Sequence, residues 1–337
     1  MRKIFLTLSL ITLFFSANWA CADQNFVNRP DVQAFINMMV KKYDFKKSDV
    51  TAVMNSVKIR PQVMIHFNKP LEIEPWRTYQ MLFVNEWRIQ HGVKFWKAHE
   101  EALKRAEATY GVPASIIVAT IGIETKYGQS MGEYRVVDSL SSLGFSNSPR
   151  AAYFQSELAQ LLLLAREQHV DPLKFEGSYA GAIGQPQFMP SSYRYYAVNF
   201  SNSGTIDLSN DITDVIGSIA NYYHKHGWKK DQPVAQPALT IGNRYNYLVA
   251  KHKLKKSFTV AELAKYGVIP KTKIKHTDLS VKVIELPSRF SKEYWLGYHN
   301  FYVIKRYNSS DLYAMAVFQL SQTMASVQER LNDGPHH

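Results

Sequence analysis

The chain has 337 residues, 20% of them charged, a formal net charge of +12 and one cysteine, Cys21. That length suffices for one large domain or two intimate lobes with a substantial core, and a lone cysteine excludes an internal disulfide framework. The basic excess points to an anionic partner, but the clusters Lys41-Lys42, Lys46-Lys47 and Lys251 to Lys256 are short and scattered, and no nucleic-acid-binding motif accompanies them, so nucleic acid is not expected.

Residues 1–22 read as a signal peptide. Met1-Arg2-Lys3 is the basic start, Ile4 to Phe15 an apolar stretch of 12 residues, and Ala20-Cys21-Ala22 a small-residue cleavage zone. The apolar stretch falls well short of the ~20 residues that a membrane-spanning helix needs. The mature chain, 23–337, is therefore expected in the periplasm, without a transmembrane span and as a monomer. A competing reading keeps Cys21 as the acylated N-terminus of an outer-membrane lipoprotein; Asn18-Trp19-Ala20 lacks the leucine and small residue expected before such a cysteine.

From Pro30 to Tyr110 the pattern is helical. Val32, Phe35, Ile36, Met39 and Val40 repeat at helix spacing, Asp49 is placed as the N-cap of a short helix carrying Val50, Val53 and Met54, and Phe95 to Ala108 forms one amphipathic run. A helix is predicted from about Pro113. On it Glu124 follows Thr120 and Ile121 by one turn and Ile116 and Ile117 by two, which sets a carboxylate on an apolar face. Withdrawal from water would raise its pKa, so that it could donate a proton to a leaving oxygen. The plainer alternative is a glutamate at a fraying helix end, solvated or paired with an arginine.

Further helices are predicted over Arg150 to Gln168 and Asp214 to His226, the second presenting Val215, Ile216, Ile219, Tyr222 and Tyr223. Between them lies Gly177 to Tyr193. Glycines at 177, 181 and 184 permit close backbone approach there. Gln185, Gln187, Ser191 and Ser192 supply amides and hydroxyls, and Tyr179, Phe188 and Tyr193 flat rings, the groups with which proteins hold sugars. A packed turn without a ligand fits the same string equally well. After Trp228 the character changes. Leu279, Val281 and Val283 alternate with polar residues, and Phe301-Tyr302-Val303-Ile304 reads as a second strand, so residues 229–298 are taken as a small α+β insertion. A last helix is predicted from about Ser310 to Asn332.

Four strings in register, Ile117 to Gly128, Gly177 to Tyr193, Gly217 to Tyr222 and Asn300 to Val317, together resemble the lytic murein transglycosylase B family. Val136 to Leu140 and His226-Gly227-Trp228 agree with it as well. The resemblance covers nearly the whole mature chain. It implies a mainly α (α+β) fold, a lysozyme-like helical catalytic body with a small α+β lobe. It also implies an enzyme that cleaves the β-1,4 bond between N-acetylmuramic acid and N-acetylglucosamine in peptidoglycan without water, leaving a 1,6-anhydro end, and that requires no cofactor. Under it Glu124 matches the single catalytic acid/base, Gln187, Tyr307, Asn308 and Tyr313 match cleft residues, and Arg150 matches an arginine near the substrate. Ser148-Pro149-Arg150 supplies one arginine where some relatives have two.

The family can carry a calcium loop where this chain has Asn199 to Asp207. The candidate ligands would be Asn199, Ser201, Ser203, Thr205 and Asp214, but Asn199 and Ser203 replace expected carboxylates, so calcium is expected to bind weakly, and a polar turn satisfied by its own side chains is the favoured reading. Two other functions fit the residues less well. A hydrolytic muramidase acting on the same bond needs a second carboxylate, for which Asp138, Asp207 and Asp214 are candidates. A non-catalytic wall-binding protein would have no need of Glu124 and Gln187.

Overall fold

The computed structural model describes residues 26–67, 74–250, 257–272 and 278–332, so the leader and Cys21 lie outside the described residues. These residues divide at Ile59/Arg60 into two compact units. The first holds α1 (Pro30–Tyr43) and α2 (Lys47–Asn55). Val32, Phe35, Ile36 and Met39 form the buried stripe of α1. Asp49 is not the cap of α2. Lys46 occupies the N-cap, and Asp49 stands in the first turn, where a carboxylate complements the helix dipole.

The second unit begins with α3 (Pro61–Phe67), α4 (Trp76–Phe83), α5 (Glu86–Ala98) and α6 (Glu100–Tyr110). The run Phe95 to Ala108 is thus two helices rather than one. His99 leaves helical geometry at φ −123°, ψ 25°, with Lys97 closing α5 and Glu100 and Glu101 opening α6, each on the dipole end that favours its charge. Gly111 ends α6 in the left-handed region at φ +73°, and Val112-Pro113 leads into α7 (Ala114–Thr125). Every residue of α7 except Glu124 is buried. The helix therefore has no polar face at all, because it packs against α5, α6 and the later helices α11 and α15.

β1 (Tyr134–Arg135), α8 (Val136–Gly144), α9 (Ala151–Gln168), β2 (Glu176–Gly177), α10 (Pro190–Tyr196) and α11 (Ile212–Lys225) follow, with β1 and β2 paired antiparallel. The lobe after α11 contains β3 (Ala235–Thr240), α12 (Asn246–Ala250), α13 (Val260–Ala264), β4 (Val268–Pro270), β5 (Lys282–Pro287) and β6 (Lys292–Gly297). Its antiparallel sheet has the order β4-β3-β6-β5 and covers a core of Ala238, Leu248, Val260, Leu263, Val268, Val281, Leu296 and Tyr298. The buried side chains of β5 are Ile284 and Leu286, out of phase with the predicted Leu279, Val281 and Val283; Val281 is buried on an isolated bridge to Phe258, ahead of the strand. A one-residue change of phase exchanges the two faces of a strand.

α14 (His299–Ile304) occupies the segment predicted as a second strand, and α15 (Asp311–Asn332) follows it. Phe301 to Ile304 is too short to reveal its own period, and tertiary contacts decided it. Phe301, Val303 and Ile304 turn into the core, while the buried Asn300 amide donates to the carbonyls of Lys229 (2.8 Å) and Gln232 (2.9 Å) and accepts from Lys229 N–H (2.9 Å). The fold is mainly α with a small α+β lobe. Among the described residues no single helix is long and apolar enough to cross a membrane.

Candidate active site

Glu124 sits in the last turn of α7, half-buried at the end of an otherwise buried helix. Tyr313, in the first turn of α15, donates its hydroxyl to Glu124 Oε1 at 2.5 Å. The Tyr313 ring stacks on Tyr307, with centroids 6.4 Å apart and planes 13° from parallel, and Tyr307 donates to the carbonyl of Pro186 at 2.6 Å. Two tyrosines of α11 complete the cluster. Tyr223 shares a hydrogen bond with Thr120 Oγ1 (2.9 Å), one turn before Glu124, and the Tyr222 ring lies 4.8 Å from that of Tyr307. Burial first, and the negative charge of Glu124 next, hold the hydroxyls of Tyr307 and Tyr313 far above the usual phenol range. Both are therefore neutral donors at working pH. Burial first, with a smaller contribution from the charge of Glu124, also raises the hydroxyls of Tyr222 and Tyr223.

The Gly177 to Tyr193 loop is tied directly to the end of α7. Thr125, fully buried, donates Oγ1 to the carbonyl of Gln185 (3.0 Å) and accepts the N–H of Gly128 (3.1 Å). Gly184 has φ +67°, and a Cβ there would stand 2.4 Å from the Leu208 carbonyl oxygen. Gly184→Ala is thus expected to destabilise by about 2–4 kcal/mol, since both backbone conformation and space oppose it. Thermal unfolding checks this, and an unchanged melting temperature would contradict the loop geometry. Gln187 is itself held at φ +51°, an uncommon conformation for a side-chain-bearing residue. Its Nε2 donates to the carbonyls of Met131 (3.0 Å) and Gly184 (2.9 Å), which fixes the amide's orientation and turns Oε1 outward from those contacts.

Much of the polar and aromatic content of this loop is spent on folding. The Gln185 amide donates to Ser209 O (3.1 Å), and Ser191 gives both its hydroxyl (2.7 Å) and its N–H (2.9 Å) to the buried Glu157. Phe188 and Tyr193 are core residues, and the Tyr193 hydroxyl is taken by Ile206 O at 2.8 Å. Rings left partly exposed in this region include Tyr153, Tyr179, Tyr196 and Tyr307. Arg150 precedes α9 with its guanidinium 4.9 Å above the Tyr153 ring and 5.3 Å from that of Phe154. Asn308 Oδ1 accepts the N–H of Ser310 (3.0 Å), which shapes the turn that delivers Tyr313. The structure therefore brings Glu124, Tyr307 and Tyr313 into one cluster, with Gln187 beside it through Pro186; Arg150 stands on the Tyr153 side, and Asn308 acts in the turn.

The predicted second carboxylates are all committed elsewhere. Asp138 is fully buried between Arg135 (2.7 Å) and Arg60 (3.3 Å). Asp207 Oδ1 accepts the backbone N–H groups of Ser209 (2.8 Å) and Asn210 (3.0 Å). Asp214, also fully buried, accepts Ser201 N–H on Oδ1 (2.8 Å) and Asp207 N–H on Oδ2 (3.1 Å). That last arrangement bears on calcium. Of Asn199, Ser201, Ser203, Thr205 and Asp214, Asp214 alone is a carboxylate, and both its oxygens hold backbone donors. Asn199 Oδ1 accepts Ser203 N–H (3.0 Å), and the Ser203 hydroxyl donates to Thr205 O (2.9 Å). Among the described residues no group of three His, Cys, Asp or Glu could hold a metal. Such a donor set does not fit a calcium ion, which takes six to eight oxygens, several of them anionic. Millimolar calcium is expected to shift the melting temperature by less than about 1 °C, where saturation at 100 times Kd would stabilise by about 2.7 kcal/mol; a rise of several degrees would overturn this.

Sequence reasoning missed the work of Thr120, Thr125 and Tyr223. Each occupies an ordinary helix-periodic position, and no local signal shows that α11 and the loop pack against α7.

With this geometry in place, relatives are informative. Residues 28–322 match the family described as the transglycosylase SLT domain. The membrane-bound lytic murein transglycosylase B of Escherichia coli K12 is 39% identical over 318 residues, covering 89% of this chain and 84% of that protein. The soluble lytic transglycosylase SltB1 of Pseudomonas aeruginosa superposes with a TM-score of 0.81 at 41% identity, covering 89% of this chain and all of that one. The Escherichia coli lytic transglycosylase Slt35, solved in complex with calcium, gives 0.80 at 39% identity over 91% of this chain and 96% of that one. A buried helix ending in a half-buried glutamate, bridged by Tyr313 to a tyrosine cluster, is thus set in a chain that belongs to the lytic murein transglycosylase B family, with its lysozyme-like fold.

Proposed function

We propose that this protein is a peptidoglycan lytic transglycosylase that cleaves the N-acetylmuramic acid β-1,4 N-acetylglucosamine bond of glycan strands, with Glu124 as the one acid/base. The observation that carries this reading is the Tyr313 hydrogen bond to Glu124 Oε1 inside the cluster of Tyr222, Tyr223, Tyr307 and Tyr313. An ordinary glycosidase needs two carboxyl groups. Here Asp138, Asp207 and Asp214 are each engaged with arginines or backbone donors, which supports the one-acid chemistry.

The steps balance without water. Glu124, protonated on Oε2, gives its proton to the glycosidic oxygen as the C1–O4 bond breaks, and positive charge develops at C1 of the muramic acid, helped by its own N-acetyl group. The ionised Glu124 then takes the proton of the C6 hydroxyl as that oxygen bonds to C1, closing the 1,6-anhydro ring and restoring the acid. Tyr313, a neutral phenol, holds Oε1 throughout and so assigns the proton to Oε2. Gln187, Tyr307, Asn308 and Arg150 line or order the sugar-binding side in this reading. The leader-like pattern of residues 1–22 supports export to the periplasm, where a net basic chain would meet an acidic wall polymer. Mass spectrometry of products from purified glycan tests the reaction. Ends lighter by one water than reducing ends are expected; reducing ends alone would make the protein a hydrolase, and no cleavage of glycan would make it a binding protein.

A further inference from the structure

A cavity of about 860 Å³ lies between the sheet of the small lobe and the helices α4, α6 and α15. It shares no lining residue with the Glu124 cluster. Four aromatic side chains, Trp228, Trp295, Tyr298 and Phe318, form its apolar walls, and Trp295 meets Phe318 edge-on at 6.3 Å. Its polar lining is dominated by neutral amides. Some of these are fixed in advance: Gln80 Nε2 donates to Gln319 Oε1 (2.6 Å), and Gln236 accepts the Tyr298 hydroxyl (3.0 Å) while donating to Thr272 O (2.6 Å). Gln232 and Gln322 also line the space. Three charged residues also line the space: Lys230 and Asp231 are exposed, and Glu107 already caps α7 by accepting Ala114 N–H at 3.1 Å.

Flat rings combined with neutral amides suit a ligand with apolar ring faces and many neutral hydrogen-bonding groups. A charged peptide would call for charged partners. We propose that this cavity is a second saccharide-binding site, taking an N-acetylated oligosaccharide segment apart from the bond being cut. α15 gives the scale. It carries Tyr313 at the Glu124 cluster and Gln322 at the cavity, nine residues further on, a separation of about 13 Å along the axis. Glycan held in the cavity would keep the enzyme on its polymer between cuts. The saccharide class follows from the lining, while its identity as wall glycan rests on the proposed function.

The test uses full-length protein carrying Glu124→Gln, titrated with the chitin tetramer of N-acetylglucosamine. Trp295 reports on the cavity, whereas Trp228 also lies 5.9 Å from the Tyr223 ring of the Glu124 cluster, so a saturable change in tryptophan fluorescence that originates at Trp295 is expected. Trp295→Ala should abolish that change, and the exposed Gln322→Ala, which does not threaten the fold, should weaken it about tenfold. In the active background both variants should keep their kcat on short soluble glycan while binding to sacculi weakens about tenfold. Unchanged tetramer and sacculus binding in both variants would overturn the proposal, as would a fluorescence response to stem peptide in place of the sugar. Near-normal turnover of Glu124→Gln would instead contradict the proposed function and leave these binding results standing.

Discussion

Glu124→Gln is expected to lower turnover on purified glycan by about 10³-fold, with affinity for the glycan within a factor of two or three of wild type. General acid–base groups contribute about 10² to 10⁴ in rate, and in the proposed reaction this one residue serves as acid and then as base. Glutamine keeps the shape and still accepts the Tyr313 hydroxyl, so the cluster and its 2.5 Å hydrogen bond should survive. Product mass spectrometry with a parallel sacculus-binding assay checks both halves. Near-normal release of anhydro ends would remove Glu124 from the mechanism, and a loss of binding equal to the loss of turnover would make it a binding group.

Tyr313→Phe should reduce kcat by about 10- to 100-fold while leaving KM nearly unchanged. Hydrogen bonds to charged groups are worth about 1.5–3 kcal/mol, and removal leaves an oxygen of Glu124 without this donor in a half-buried site. Because Tyr313 touches Glu124 rather than the substrate, its effect belongs to the transition state, where Glu124 becomes ionised, and so falls on kcat. The ring remains, and so does its stacking on Tyr307, so the melting temperature should fall only slightly. A rise in KM with kcat preserved would show that Tyr313 holds sugar. A large loss of melting temperature would show that it holds the fold.

How far these sites were legible in the sequence varies residue by residue. Helix existence was plain where apolar residues repeat over several turns, as in α1, α9, α11 and α15. Short apolar runs were ambiguous. Phe301 to Ile304 has the composition of a strand, but Asn300 and the surrounding core make it α14. The break at His99 was hidden because the hydrophobic period continues across it, while the charges Lys97, Glu100 and Glu101 were the available signal. In the glycine-rich loop the sequence offered many groups able to hold sugar and no means of sorting them. Folding consumes Gln185, Ser191, Phe188 and Tyr193 and leaves Gln187 in an uncommon backbone conformation with its amide oriented.

The sequence by itself determined a basic chain with a mainly helical body, a small mixed lobe, and Glu124 as the carboxylate out of place in an apolar helix. Those features depend on local order: composition, period and nearest neighbours along the chain. The tertiary structure alone decided that Tyr313, 189 residues away, is the donor on Glu124, that Asp138, Asp207 and Asp214 are spent on arginines and backbone, and that both oxygens of Asp214 accept backbone N–H groups of the calcium-like loop. Each of those outcomes is a competition for a hydrogen-bond partner among groups that meet only when the chain has folded. A buried carboxylate takes whichever donor packing brings to it.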